Sequence, residues 1–401
     1  MLIEFKVKNF MSFKEDTSFL MTTVKSFKEL NETNVFKTNK DFDLLKSAAI
    51  YGQNASGKSN FIVAISCMSW IINNSFSDSL KKESERLIHD FQFKLNTATE
   101  NENTLFEVSF LIGDIIYRYG FEINGNQIIS EWLYNKDERE ILLFNRIGNE
   151  FEINKTKFKE GLKYKNDVNQ NVLFLSHLSQ NNQQISKSIW LWFQKINEID
   201  GLDEEHYNKV TTLLLKNDSD FKKWVSQALK FLEISNIESG ENDDIYTFHN
   251  KYDKNNLLVG SESFRLEDES AGTRKLIQIL GPIYDTLKLG KILFIDEFDS
   301  KLHPNLSKKL LEFFNKFNKN HAQFIFSAQD SNLLDKKLLR RDQIWFVEKN
   351  QFGASSIYSL SDFNSKTVRN DSAFDKKYLE NNFGAADTFE IDQNLMDLLY
   401  V

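Results

Sequence analysis

The chain of 401 residues is 41% hydrophobic and 27% charged, enough to build a sizeable core and inconsistent with a disordered or fibrous polymer. Its formal net charge of −8 gives no global electrostatic attraction for nucleic acid. No apolar run approaches the ~20 residues needed to cross a bilayer, and the single cysteine, Cys67, excludes an intramolecular disulfide and points to the cytoplasm.

In chain order, Ile3, Phe5 and Val7 alternate with Glu4, Lys6 and Lys8, a strand rather than the continuous apolar stretch of a signal peptide. Residues 44–51 read as a short buried strand and 59–73 as an apolar helix, with a glycine loop between them. A charged stretch, 79–90, leads to alternating runs at 105–110 and 115–123. Gly113-Asp114 makes these a hairpin, Asn124-Gly125 marks another turn, and 131–134 and 140–144 extend the antiparallel sheet.

From 176 to 239 the pattern turns helical, with Trp190, Trp192, Phe193 and Ile196 at helical spacing and Trp224, Leu229 and Leu232 on a later helix. These aromatics are read as core. Residues 242–256 are polar and loop-like. A second α/β stretch carries 269–287, 292–297, 306–317 and 323–327, and 343–349 with 355–360 form a closing hairpin. Pro304 suits the first turn of its helix, whereas Pro282 predicts a kink inside an otherwise helical pattern.

The strongest chemical signal is Gly52-Gln53-Asn54-Ala55-Ser56-Gly57-Lys58-Ser59, which fits G-x4-G-K-S between a strand and a helix. The glycines allow the backbone to wrap around phosphates, and the loop amides and helix N-terminus bind their charge. Lys58 would reach the β- and γ-phosphates and Ser59 would ligate Mg2+, with Asn54, Ala55, Ser56 and Asn60 completing the cradle for ATP. The second signal is Lys291-Ile292-Leu293-Phe294-Ile295-Asp296-Glu297, a buried strand delivering two carboxylates at its C-terminal edge. Asp296 would hold Mg2+ and Glu297 would polarise the attacking water, the catalytic role.

Glu269-Ser270-Ala271-Gly272-Thr273, shortly before that strand, resembles the signature motif of ABC-type ATPases in the Ser-x-Gly-Thr form of SMC-like and related defence ATPases. The resemblance implies that Ser270 and Gly272 act in trans, capping the γ-phosphate bound to a second copy. Residues 299–304 resemble the D-loop. Residues 173–180 resemble the Q-loop strand, which makes Gln180 a candidate Mg2+ or water ligand. Asn9-Phe10-Met11-Ser12-Phe13 resembles the N-terminal segment of SMC-like heads that approaches the nucleotide, and brings in Ser12. Gln329 stands where the family usually places a switch histidine. A glutamine hydrogen-bonds but carries no titratable charge, so slow hydrolysis is expected.

Residues 106–110, 117–122, 341–349 and 378–385 resemble the AbiL/RloA-type ATPases of bacterial abortive-infection systems, although Asn381 and Phe383 replace a glycine and a tyrosine of the last motif. The resemblance implies an α/β ABC-type ATPase head, a mixed sheet with an antiparallel β subdomain and a helical lobe. The expected division is 1–175 with the P-loop and β subdomain, 176–245 as the helical lobe, and 246–401 with the signature, the Asp-Glu strand and the D-loop. It further implies a dimeric ATPase with a separately encoded effector partner in anti-phage defence. An SMC-type repair ATPase would need a coiled coil that 176–239 is too short to supply. A nuclease of the overcoming-lysogenization-defect kind would need a Toprim domain for which too little chain follows Gln329. A transporter subunit conflicts with the Ser-x-Gly-Thr signature, and a scaffold using ATP structurally stays open.

Overall fold

A computed structural model describes residues 1–81, 91–200, 204–363 and 373–386. Of the charged stretch 79–90, all but its first three residues lies outside the described residues. Two large sheets organise the remainder. One is antiparallel and seven-stranded, in the order Glu150–Ile153, Glu140–Ile147, Gln127–Lys136, Ile115–Asn124, Thr104–Ile112, Leu2–Lys8, Thr17–Leu20. It contains the expected hairpins, joined by turns in which Gly113 and Gly125 adopt positive φ.

The second sheet is six-stranded, in the order Ile196–Asp200, Ile292–Asp296, Gln323–Ser327, Ser47–Gly52, Ile344–Lys349, Ser355–Ser359. Its first five strands run parallel and only the last pair is antiparallel. A parallel sheet is covered on both faces, so its inner strands are largely apolar, while the edge strands Ile196–Asp200 and Ser355–Ser359 carry polar residues. Here Ala48, Ile50, Ile292, Phe294 and Ile325 enter the core shared with the antiparallel sheet and the helix Lys58–Ser79. Ala49, Tyr51, Leu293, Ile295, Phe324 and Phe326 enter the opposite core, with the helices Ala271–Leu289 and Pro304–Phe317.

Pro304 occupies the first turn of its helix, where His303 Nδ1 accepts the Asn305 amide. The helix Ala271–Leu289 continues through Pro282. Proline removes the amide that would bond the carbonyl four residues back, that of Gln278. The Thr211 hydroxyl donates to that carbonyl instead, at 2.8 Å. Gly281 permits this approach, since a Cβ there would lie 2.2 Å from Thr211 Oγ1.

Four expectations fail, one of them at the end of the helical stretch 176–239, where Ile234–Ser239 is a strand. The helical pattern from Trp190 breaks at Phe193, and Ile196 belongs to the parallel strand Ile196–Asp200 beside Ile292–Asp296. The polar stretch 242–256 contains the strand Ile245–Tyr252, central to a three-stranded sheet with Ile234–Ser239 and Leu258–Arg265. Every residue of Leu258–Arg265 is exposed, so no buried face imposes an alternating apolar pattern. Finally, the Q-loop strand expected at 173–180 is the helix Phe174–Gln180, because the buried Glu131 carboxylate accepts the amides of Phe174 and Leu175 at 2.6 and 2.9 Å.

Candidate nucleotide site

The strand Ser47–Gly52 ends in the loop that turns into the helix Lys58–Ser79, and the loop is walled by distant parts of the chain. A Cβ on Gly52 would lie 2.3 Å from the Val347 carbonyl oxygen. Gly57 adopts φ +114°, and a Cβ there would lie 2.5 Å from Ser355 Oγ and 2.7 Å from Ser12 Oγ. Ser355 ties the two walls together. Its hydroxyl donates to the Ser56 carbonyl at 2.5 Å and its amide to the Ser12 carbonyl at 2.7 Å. Asn60 Nδ2 donates to Ser12 Oγ at 2.9 Å, so the N-terminal segment does reach the loop.

Three features fit a phosphate ligand. The helix N-terminus at Gly57 has no side-chain cap, which leaves its dipole for an anion. The Ser56 hydroxyl is buried without a hydrogen-bond partner. Lys58 Nζ folds back on the loop, donating to the Gly52 and Gln53 carbonyls at 2.7 and 3.0 Å. Asn54 and Ala55 are exposed on the same loop, Ala55 with φ 60°, and Ser59 is exposed in the first turn of the helix.

Asp296 ends the strand Ile292–Asp296, separated from Ser47–Gly52 by the single strand Gln323–Ser327. That places it two strand spacings, about 10 Å, from the P-loop strand at the same sheet edge. Ser327 organises the carboxylates. Its hydroxyl donates to Asp296 Oδ1 and accepts the Glu297 amide at 2.8 Å. Glu297 turns out of the strand with φ 49°, a left-handed conformation that non-glycine residues adopt at a cost. Gln329 Nε2 donates to Glu297 Oε1 at 3.2 Å. Asp299 Oδ2 accepts the amides of Gln329, at 3.0 Å, and Asp330, and burial raises the Asp299 pKa despite these two bonds.

Residues 47–335, well over half of the chain, match the family AAA_21, described as "AAA domain, putative AbiEii toxin, Type IV TA system". The chain belongs to the AAA_21 family. It is also similar in structure to the SMC head domain from Thermotoga maritima, at 15% identity over 89% of this chain and 98% of that one, with a TM-score of 0.44. An Smc head bound to the C-winged helix domain of ScpA matches at 13% identity, 89% and 97% coverage and a TM-score of 0.40. An Smc head with an extended coiled coil, bound to the C-terminal domain of ScpA derived from Pyrococcus furiosus, matches at 14% identity, 89% and 96% coverage and a TM-score of 0.40. No curated protein matches the sequence.

This AAA_21 chain thus carries the P-loop ATPase fold, with the P-loop and the Asp-Glu edge assembled in one place. Among the described residues no three carboxylates, imidazoles or thiols converge. A Mg2+ ion here would rest on nucleotide oxygens with Ser59 and Asp296, the arrangement this ion favours. Gln180 is not part of that assembly. Its helix is pinned to the far half of Lys58–Ser79, where the Ser176 hydroxyl donates to the Ile72 carbonyl at 2.6 Å. At ~1.5 Å per residue, Ile72 lies about 21 Å along that helix from Lys58. The strand that reaches the edge beside Asp296 is Ile196–Asp200, with Asp200 in register with Asp296.

Ser270 caps the helix Ala271–Leu289, its hydroxyl accepting the Thr273 amide at 3.2 Å, and it is exposed. Gly272 packs near the Lys301 carbonyl, 3.2 Å from where its Cβ would stand. Just ahead of them Glu269 holds the turn to the three-stranded sheet, through Thr247 Oγ1 and His249 Nε2 at 2.5 and 2.7 Å. The sequence reading gives no role to Ser327, Ser355 or Glu269. Ser327 is the last residue of the strand preceding Gln329 and Glu269 opens the signature-like run, whereas nothing local connects Ser355 to the P-loop.

Among the described residues no helix is long and apolar enough to cross a membrane.

Proposed function

We propose that this AAA_21 chain is a cytoplasmic ATPase that binds ATP with Mg2+ and hydrolyses it slowly as a nucleotide-bridged, head-to-tail dimer. In this reading it regulates a separately encoded effector in an AbiL/RloA-type anti-phage defence system. The observation that carries the ATPase reading is the pair Asp296 and Glu297, both fixed by Ser327, facing an uncapped glycine-walled P-loop across one intervening strand. Mg2+ on the phosphates would offset their charge. Lys58 would exchange its two carbonyl partners for phosphate oxygens, and Glu297 would orient a water and accept its proton. The Gln329 amide steadies Glu297 but offers only a neutral donor to charge developing on the γ-phosphoryl group, which favours slow turnover.

The dimer reading is supported by Ser270, which is exposed at the N-terminus of Ala271–Leu289 with its hydroxyl bonded to Thr273 of the same turn, and by Gly272 beside it. The defence reading is supported by the family description, which names the AbiEii toxin and a type IV TA system, and by the abortive-infection motifs of the sequence.

Light scattering with Mg-ATP tests the composite site. Glu297→Gln is expected to bind ATP, lose turnover and accumulate as a dimer; a monomer at saturating nucleotide contradicts the reading. Lys58→Ala is expected to lose ATP-dependent thermal stabilisation, which for a ligand at a hundred times its Kd amounts to about 2.7 kcal/mol. The same variant, expressed with the effector, is expected to lose protection in a phage plating assay. A wild type that gives no protection contradicts the defence role, and undiminished protection in the variant contradicts its dependence on the P-loop.

A further inference from the structure

The segment Phe374–Ala386, which contains the 378–385 motif, belongs neither to the P-loop nor to the Asp-Glu edge, yet it touches the supports of both. Its short helix Phe374–Leu379 brings the Tyr378 ring against Tyr51, with centroids 5.5 Å apart at 65°. Tyr51 is the last residue before Gly52 and is fully buried. Its hydroxyl donates to the Asp330 carbonyl at 3.1 Å. Asp330 follows Gln329, and Asp299 holds both of their amides while Gln329 reaches Glu297.

At the other end of the segment, Gln53 Nε2 of the P-loop donates to the Ala386 carbonyl. The segment is itself held in shape. The Ala386 amide donates to Asn381 Oδ1 at 3.1 Å, the Tyr358 hydroxyl donates to the Phe383 carbonyl at 2.5 Å, and Phe346 stacks on both Tyr378 and Phe383. Filling space would require only the rings. The Gln53 amide adds a directional bond from the P-loop to the segment, and the Tyr378 ring packs on the one tyrosine, Tyr51, whose hydroxyl holds the loop that carries Gln329.

We infer that Phe374–Ala386 is a strap that positions the hydrolytic site, spanning the P-loop at Gln53 and, through Tyr51, the loop bearing Gln329. The inference rests on the ATPase reading above. A displaced Gln329 loop leaves Glu297 without its amide partner, and small misplacements of a catalytic group are felt mainly in the chemical step. The strap therefore governs turnover more than affinity.

Steady-state phosphate release against ATP concentration tests it. Tyr51→Phe deletes the hydroxyl and keeps the ring, while Tyr378→Leu deletes the ring and keeps the site apolar. Each is expected to lower kcat about three- to tenfold, the effect of one lost hydrogen bond, with KM within about twofold. The double variant is expected to be no slower than the worse single one, because both act along one path. Unchanged kcat in Tyr378→Leu overturns the inference, whatever Tyr51→Phe does, because only Tyr378 belongs to the strap itself. So does a loss of ATP affinity and thermal stability in proportion to kcat, which would make the strap a structural brace only. Wild-type turnover that Lys58→Ala and Glu297→Gln abolish shows that the ATPase reading stands independently. A wild type without turnover overturns both.

Discussion

Two long helices of this molecule begin at glycine-bearing turns, and the two turns are finished differently. Gly57, ahead of Lys58–Ser79, is enclosed by Ser12 and Ser355, and Gly52 by Val347, so the loop's shape is fixed by residues up to some 300 positions away. Ser270 and Gly272, at the start of Ala271–Leu289, have a self-contained cap, with Ser270 exposed and Gly272 half-buried. One turn is completed by its own chain and the other presents its surface outward. In the account proposed here, the second turn is completed by another copy.

The largest expected contrast comes from adding one methyl group to each turn. Gly57→Ala forces a Cβ into φ +114° and onto two serine hydroxyls. The expected result is a destabilisation of about 2–4 kcal/mol and no thermal shift with Mg-ATP. Gly272→Ala stands in a helix with the Lys301 carbonyl oxygen 3.2 Å from its Cβ, a tight contact that a small shift relieves. A loss of stability of at most about 1 kcal/mol is expected, with ATP binding kept while phosphate release falls. Equal loss of ATP binding in the two variants breaks the comparison.

A smaller effect is expected at the end of the strand between them. Gln329→His should raise kcat a fewfold with little change in ATP affinity, because an imidazolium strengthens its contact mainly in the transition state. No gain would leave Glu297 alone as the rate-setting group. The smallest effect concerns the helix behind the P-loop, where burial pushes the Cys67 thiol up to about 12. Iodoacetamide at pH 8 is expected to leave the native protein unlabelled and to label it in urea, since the thiolate is the reactive form. Rapid native labelling would show that this helix opens.

The same contrast separates what was legible in the sequence from what was not. Gly52–Ser59, the apolar strand ending in Asp296-Glu297, and the hairpins at Gly113 and Gly125 are local patterns, and local patterns survive without tertiary knowledge. The strand Ile196–Asp200 was hidden because Ile196 continues the helical spacing of Trp192 and Phe193 across a break at 194–195. Leu258–Arg265 was hidden because an exposed strand has no apolar face to betray it. The strand expected at 173–180, and Gln180 with it, rests on a resemblance to the Q-loop, and no local pattern shows that Glu131, more than forty positions upstream, holds the first amides of a helix there. The walls of the P-loop, Ser355 and Val347, lie too far along the chain for any motif to connect them to Gly57 and Gly52.

The central claim is that the P-loop of one copy works with the signature turn of another, and mixing two inactive variants tests it most directly. Lys58→Ala keeps an intact Ser270–Gly272 turn, and Ser270→Arg keeps an intact P-loop. Each alone is expected to release no phosphate above background. An equimolar mixture is expected to recover about a quarter of wild-type activity, because half of randomly paired dimers are mixed and each holds one intact composite site. A mixture as inactive as its components, or a Ser270→Arg chain that hydrolyses ATP by itself at the wild-type rate, would contradict the account.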